Sequence, residues 1–128
     1  MKKNIIASSK FPVFGPYSAA VEANDIIFIS GQLPIDPANG EIINDIKAAT
    51  KQVLLNIKTI LEKTDLDMSH VVKTTIFLKN IADFSAVNEI YADFFPQEPP
   101  ARSTIQANVL PKGALIEIEA IAIRKSRV

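Results

Sequence analysis

The run Leu115 to Arg124, LIEIEAIAIR, alternates with the period of a β-strand. Ile116, Ile118, Ala120 and Ala122 fall on one face, all apolar; Leu115, Glu117, Glu119, Ile121 and Ile123 fall on the other. The two carboxylates of that second face stand roughly 6 to 7 Å apart on one side of the pleat. A carboxylate is seldom buried unless another group pairs with it or the protein uses it. Upstream, Pro99, Pro100 and Ala101 stiffen the approach to Arg102, which leads into a second short strand over residues 103–108. A cation and a base are thus delivered by neighbouring segments.

The remaining pattern is mixed. A short edge strand is expected over 4–7, and a hairpin pairs 19–23 with 25–30 across Asn24 and Asp25, residues that tolerate positive φ. Apolar spacing turns helical from Asp45 to Lys63, with Ile46, Ala49, Val53, Ile57, Ile60 and Leu61 on one stripe. Residues 71–79 alternate again, setting Val72, Thr74, Ile76 and Leu78 against Val71, Lys73, Thr75, Phe77 and Lys79. A second helix is expected from an N-cap at Asp83 to Phe95, burying Phe84, Val87, Tyr91 and Phe94. The order predicts a single α+β domain over residues 1–128: an α/β sandwich of one mixed sheet with two helices on one face. Two helices cannot cover both faces, so the face bearing Glu117 and Glu119 is expected to meet other copies of the chain.

Composition narrows the partners. The chain has 128 residues, 14 basic and 14 acidic, so no overall field draws it to nucleic acid or an anionic membrane. It has no cysteine, which removes disulfides and thiolate chemistry. The start, MKKNIIASSK, lacks the apolar core of a signal peptide, and no run is long enough for a membrane helix; a soluble cytoplasmic protein is expected. One histidine without cysteine makes a metal site unexpected, and no glycine-rich phosphate cradle supports a nucleotide cofactor. His70 is expected to be a surface turn residue.

Arg102 fits either a structural ion pair with a glutamate or capture of a substrate carboxylate, for which a guanidinium offers a planar two-point fork. Glu117 fits either the other half of an ion pair or a general base whose proton affinity is raised by partial burial. Tyr17, Ser30 and Asn88 are weak signals singly.

Taken in order, GPYS at 15–18, ISGQ at 29–32, VKTTIF at 72–77, VN at 87–88, PARS at 100–103 and IEIEA at 116–120 resemble the RidA (YjgF/YER057c) family of imine and enamine deaminases. The resemblance spans nearly the whole chain. It implies a chorismate-mutase-like fold, a homotrimer with clefts between subunits, and cofactor-free, metal-free hydrolysis of 2-imino or 2-enamino acids, released by pyridoxal-phosphate enzymes, to 2-oxo acids and ammonia. It further implies that Arg102 anchors the substrate carboxylate, Glu117 activates water, and Tyr17, Ser30, Gly31, Asn88 and Thr104 line the cleft. Many members carry cysteine where this chain has Thr104, so a cysteine nucleophile is not expected. A 2-oxo acid-binding regulatory module uses the same Arg102; a ribonuclease or translation inhibitor, as some relatives are labelled, fits poorly with balanced charge and a lone turn histidine.

Overall fold

The computed structural model describes residues 3–6 and 13–124. In chain order the strands are β1 (Lys3–Ile6), β2 (Ala20–Ala23), β3 (Ile26–Gln32), β4 (Val71–Leu78), β5 (Ala101–Gln106) and β6 (Ile116–Ile123). Helix α1 (Ile46–Glu62) follows β3, and α2 (Phe84–Phe94) follows β4. They form one mixed sheet of order β1-β2-β3-β6-β4-β5, with the alternating C-terminal run as an interior strand. Neighbours are antiparallel except β4 and β5. That parallel pair is joined through α2, the long crossover such a pair requires.

The alternation read from β6 holds. Ile116, Ile118, Ala120 and Ala122 are buried, together with Ile27, Ile29, Ile76 and Leu78 of the adjoining strands. Across from them lie Val53, Leu54, Ile57, Ile60 and Leu61 of α1, and Val87 and Tyr91 of α2, in one apolar cluster. A large aliphatic side chain fully withdrawn from water contributes about 1.5–3 kcal/mol, so this face holds the domain together. Among the described residues the opposite face is covered only at one end, where Phe77 packs against the small cluster of Leu33, Leu110 and Ala114; elsewhere Phe28 is 45% exposed, Glu119 is exposed, and Ile121 is half-buried.

Local chemistry explains the boundaries. Asp45 caps α1 by accepting a hydrogen bond from the Ala48 N–H at 3.0 Å. Asn24 and Asp25 take φ of 51° and 63°, the left-handed pair that a two-residue hairpin turn demands. Near the sheet's far end, the Arg124 guanidinium donates to Glu22 and to the Thr64 carbonyl, tying β6, β2 and the end of α1 together.

Several expectations need correction. Asp83 precedes α2, but its side chain makes no capping bond; a 3₁₀ turn over Ile81–Asp83 leads into the helix, and Asn80 caps that turn. Val72 does not share the face of Thr74 and Ile76: an irregularity between Val71 and Lys73 in the pairing with β6 switches sides, burying Val71 and exposing Val72. Phe84 is 38% exposed rather than core. Strand β5 starts at Ala101 and ends at Gln106, earlier than expected, because its register follows β4 from Lys73 to Leu78. The first strand is Lys3–Ile6; Ala7, expected to close it, lies outside the described residues.

Candidate active site

Arg102 lies on β5, an edge strand, paired with Thr74 of β4. Thr74 in turn pairs with Ala120 of β6, and both are buried on the helix-covered face. Arg102 therefore rises on the side of α2. Its guanidinium carbon stands 4.8 Å from the ring centre of Tyr91 and 5.4 Å from that of Phe84. Among the described residues it has no ion pair or hydrogen bond, so the structural pairing with a glutamate is absent within the protomer. Beside it is a cavity of about 410 Å³ bounded by Asn88, Tyr91, Ala92, Phe95, Pro99 and Arg102. Thr104 is paired with Ile76 one pleat further along the same face, and its Oγ1 is buried with no hydrogen-bond partner.

Glu117 is on the opposite face. It pairs with Phe77, one residue out of phase with Thr74 and Ile76. Its carboxylate occupies the space that a Cβ on Gly31 would fill, where the pairing of β3 with β6 loses regular register between Ile29 and Gln32. Burial raises the Glu117 carboxyl above the usual range, and the like charge of Glu119 adds to the effect. A carboxylate so placed holds a proton more strongly than a free one, which suits a base.

On this same open face a cleft of about 360 Å³ is lined by Tyr17, Ser18, Ser30, Lys73, Thr75 and Glu119, among others. Ser30 donates its hydroxyl hydrogen to the Ser18 carbonyl at 2.6 Å, leaving the oxygen free to accept.

The sequence-derived residues thus fall into two groups. Asn88, Arg102 and Thr104 gather on the helix side at the β5 edge; Tyr17, Ser30, Gly31 and Glu117 gather on the open face. The sheet lies between them, so within one protomer Arg102 and Glu117 do not meet. Sequence reading missed three participants: Tyr91 and Phe84 as the cradle of Arg102, and Glu119 as a wall of the open cleft. The spacing of Phe84, Asn88 and Tyr91 along one helical face was a usable signal, but nothing in the sequence tells which strand that face meets. His70 closes a capping box with Asp67 in a 3₁₀ turn, its Nδ1 3.3 Å from the Asp67 nitrogen. Among the described residues no cluster of three or more His, Asp or Glu could hold a metal ion, and no helix is long and apolar enough to cross a membrane.

Comparison with known proteins matches residues 7–124 to the family model described as endoribonuclease L-PSP. The chain is 49% identical over 124 residues to a Lactococcus lactis protein named as the regulator AldR, covering 95% of this chain and 98% of that one. It is 45% identical over 124 residues to the goat protein named 2-iminobutanoate/2-iminopropanoate deaminase, covering 95% and 90%. Among solved structures, the YjgF gene product of E. coli superposes with a TM-score of 0.90 at 41% identity, covering 95% of this chain and 99% of that one. E. coli TdcF with bound serine gives 0.90 at 36% identity, with the same coverage. The matched family, the shared six-stranded fold and these relatives agree with the motifs of the sequence: the chain belongs to the endoribonuclease L-PSP (YjgF) family, that of the RidA deaminases.

Proposed function

We propose that this protein hydrolyses 2-imino acids, and the enamines that tautomerise to them, to 2-oxo acids and ammonia, in clefts formed between the subunits of a homotrimer. The observation that carries the reading is the guanidinium of Arg102, half-buried beside a cavity with its hydrogen-bonding edge unused. A cation in that setting is completed by an anion from outside the chain, and a carboxylate matches its two parallel donors. The exposed apolar face and the division of Arg102 from Glu117 by the sheet support assembly: the β5 edge of one protomer would meet the open face of another.

In such a cleft Arg102 holds the substrate carboxylate, and Asn88, which lines the same cavity, supplies a polar contact. Glu117 takes a proton from water as its oxygen attacks the imine carbon. The substrate reacts as the iminium, its nitrogen already carrying a proton from solvent, so the C=N electron pair moves to nitrogen and gives a neutral carbinolamine. Glu117 passes its proton to that nitrogen, then takes the hydroxyl proton as the C–N bond breaks, releasing ammonia and forming the carbonyl, and returns that proton to solvent. The imine carbon is already electrophilic, so placement provides most of the catalysis. No cofactor is required by this balance, and a cytoplasmic setting, where such imines arise, fits it.

The goat relative's name and the serine in the TdcF structure support a small amino- or oxo-acid ligand. The regulator name of the Lactococcus relative favours a second reading, in which a 2-oxo acid binds without turnover. The nuclease label fits less well: charge is balanced and His70 is held in a turn by Asp67.

The test generates 2-iminobutanoate with an amino-acid oxidase and follows 2-oxobutanoate. Losing two charge-assisted hydrogen bonds of about 1.5–3 kcal/mol each, Arg102→Ala should lower kcat/KM at least about 100-fold. Glu117→Gln should lower kcat by about 100-fold or more while 2-oxobutanoate still binds. Wild-type protein that binds 2-oxobutanoate without accelerating imine loss would establish the regulatory reading instead.

A further inference from the structure

Arg102 presents a physical problem. A half-buried guanidinium normally satisfies its N–H groups with a carboxylate or carbonyl, yet here none of the described residues accepts from it. What surrounds it instead is aromatic. The Tyr91 ring lies 4.8 Å from the guanidinium carbon and the Phe84 ring 5.4 Å, both within the range of cation–π attraction. Ring faces attract the cation through its plane and consume none of its donors. An acidic neighbour would hold Arg102 more tightly but would occupy the fork.

Tyr91 is itself fixed. It is 5% exposed, packs against Phe95 with ring centres 4.7 Å apart and planes tilted by 40°, and its Oη is 2.7 Å from Thr74 Oγ1. Thr74 is 1% exposed and is the very residue paired with Arg102 across β4 and β5. The hydroxyl contact therefore locks the ring onto the strand position from which Arg102 emerges. Burial also raises the Tyr91 phenol above its usual range, so the ring stays neutral at working pH.

We infer that Tyr91, pinned by Thr74 and assisted by Phe84, is a positioning residue that holds the Arg102 guanidinium by its face and keeps its hydrogen-bonding edge open for the substrate carboxylate. This deepens the proposed function and rests on Arg102 as the carboxylate anchor. Phe84, further away and 38% exposed, contributes less.

The experiment compares wild type, Tyr91→Leu, Tyr91→Phe and Arg102→Ala in two measurements. The first is calorimetric binding of 2-oxobutanoate and of its neutral amide, with steady-state kinetics on 2-iminobutanoate. Tyr91→Leu should weaken 2-oxobutanoate binding and raise KM by about tenfold, leave kcat within about twofold, and leave binding of the amide unchanged. Tyr91→Phe, which keeps the ring but loses its tie to Thr74, should raise KM by less than Tyr91→Leu does. The second is the NMR signal of the Arg102 Nε–H, assigned by its loss in Arg102→Ala. Its ring-current shift should largely persist in Tyr91→Phe and shrink in Tyr91→Leu to what the Phe84 ring alone supplies. An unchanged KM in Tyr91→Leu, an equal loss of acid and amide binding, or an unshifted Arg102 signal in wild type overturns the inference. Equal binding of 2-oxobutanoate by wild type and Arg102→Ala overturns the anchoring role of Arg102 instead, whatever the NMR signal reports about the clamp.

Discussion

On the helix-covered face of the sheet, Ile118 of β6 and Ile76 of β4 are opposite each other and fully buried. One residue along, on the open face, Glu117 opposes Phe77, and Glu119 opposes Thr75. The same two strands thus build a core on one side and a chemically equipped surface on the other. Arg102 breaks the symmetry: it belongs to the covered face, but because β5 is the edge strand its charged end reaches the rim beside the cavity instead of entering the core. An edge position lets a charged side chain share the scaffold of the core without losing access to a ligand.

The largest expected difference between the faces is in stability. Ile118→Ala should cost about 2–5 kcal/mol in denaturant unfolding, since a fully enclosed side chain leaves a cavity. Phe28→Ala on the open face should instead weaken self-association, read by sedimentation. Equal unfolding losses from the two, with no change in assembly, would erase the distinction.

Gly31→Ala probes the open face more finely. The new methyl would take the space of the Glu117 carboxylate, which is the movable end of a flexible side chain. Unfolding should change by less than about 1 kcal/mol, while kcat for imine hydrolysis should fall about tenfold or more. Full activity in this variant would show that the Glu117 position beside Gly31 does not matter to turnover.

A smaller effect concerns pH. Glu117 titrates above the ordinary carboxylate range, so the stability linked to it is complete below its unfolded pKa and is lost as pH rises through the raised folded value. Glu119→Gln removes the like charge that contributes to this rise. The basic form of Glu117 should then appear at lower pH, moving the ascending limb of the kcat profile in that direction. A limb that stays in place would mean that another group sets it.

Smallest is the outer tie on the covered side. The Arg124 hydrogen bonds hold Glu22 below its usual range, so the stability from this pair is present above the unfolded pKa of Glu22 and fades as pH falls through the folded one. Glu22→Gln should cost under about 1 kcal/mol at neutral pH and nothing in acid, as compared by thermal unfolding at both.

Much of this was legible before any coordinates. The period of β6 separated Ile118 from Glu117 and Glu119, the stripe from Ile46 to Leu61 marked α1, and the resemblance motifs identified Arg102, Glu117, Gly31 and Ser30 as candidates. Three features were not. The switch at Val71 and Val72 depends on register with β6, which period alone does not encode. The missing cap at Asp83 follows from the 3₁₀ turn placed before α2. The cradle of Arg102 needs a helix and a strand whose relative placement is set by packing.

Local periodicity and side-chain chemistry, which act within a few residues, determined which segments are strands and helices, which faces are apolar, and that a guanidinium and two carboxylates would be set on rigid elements. Tertiary structure alone decided that Arg102 and Glu117 emerge on opposite sides of one sheet, because facing is fixed by strand order and register between segments far apart in the chain. The pairing of Arg102 with Thr74, and of Thr74 with Tyr91, exists only once β4, β5 and α2 have packed.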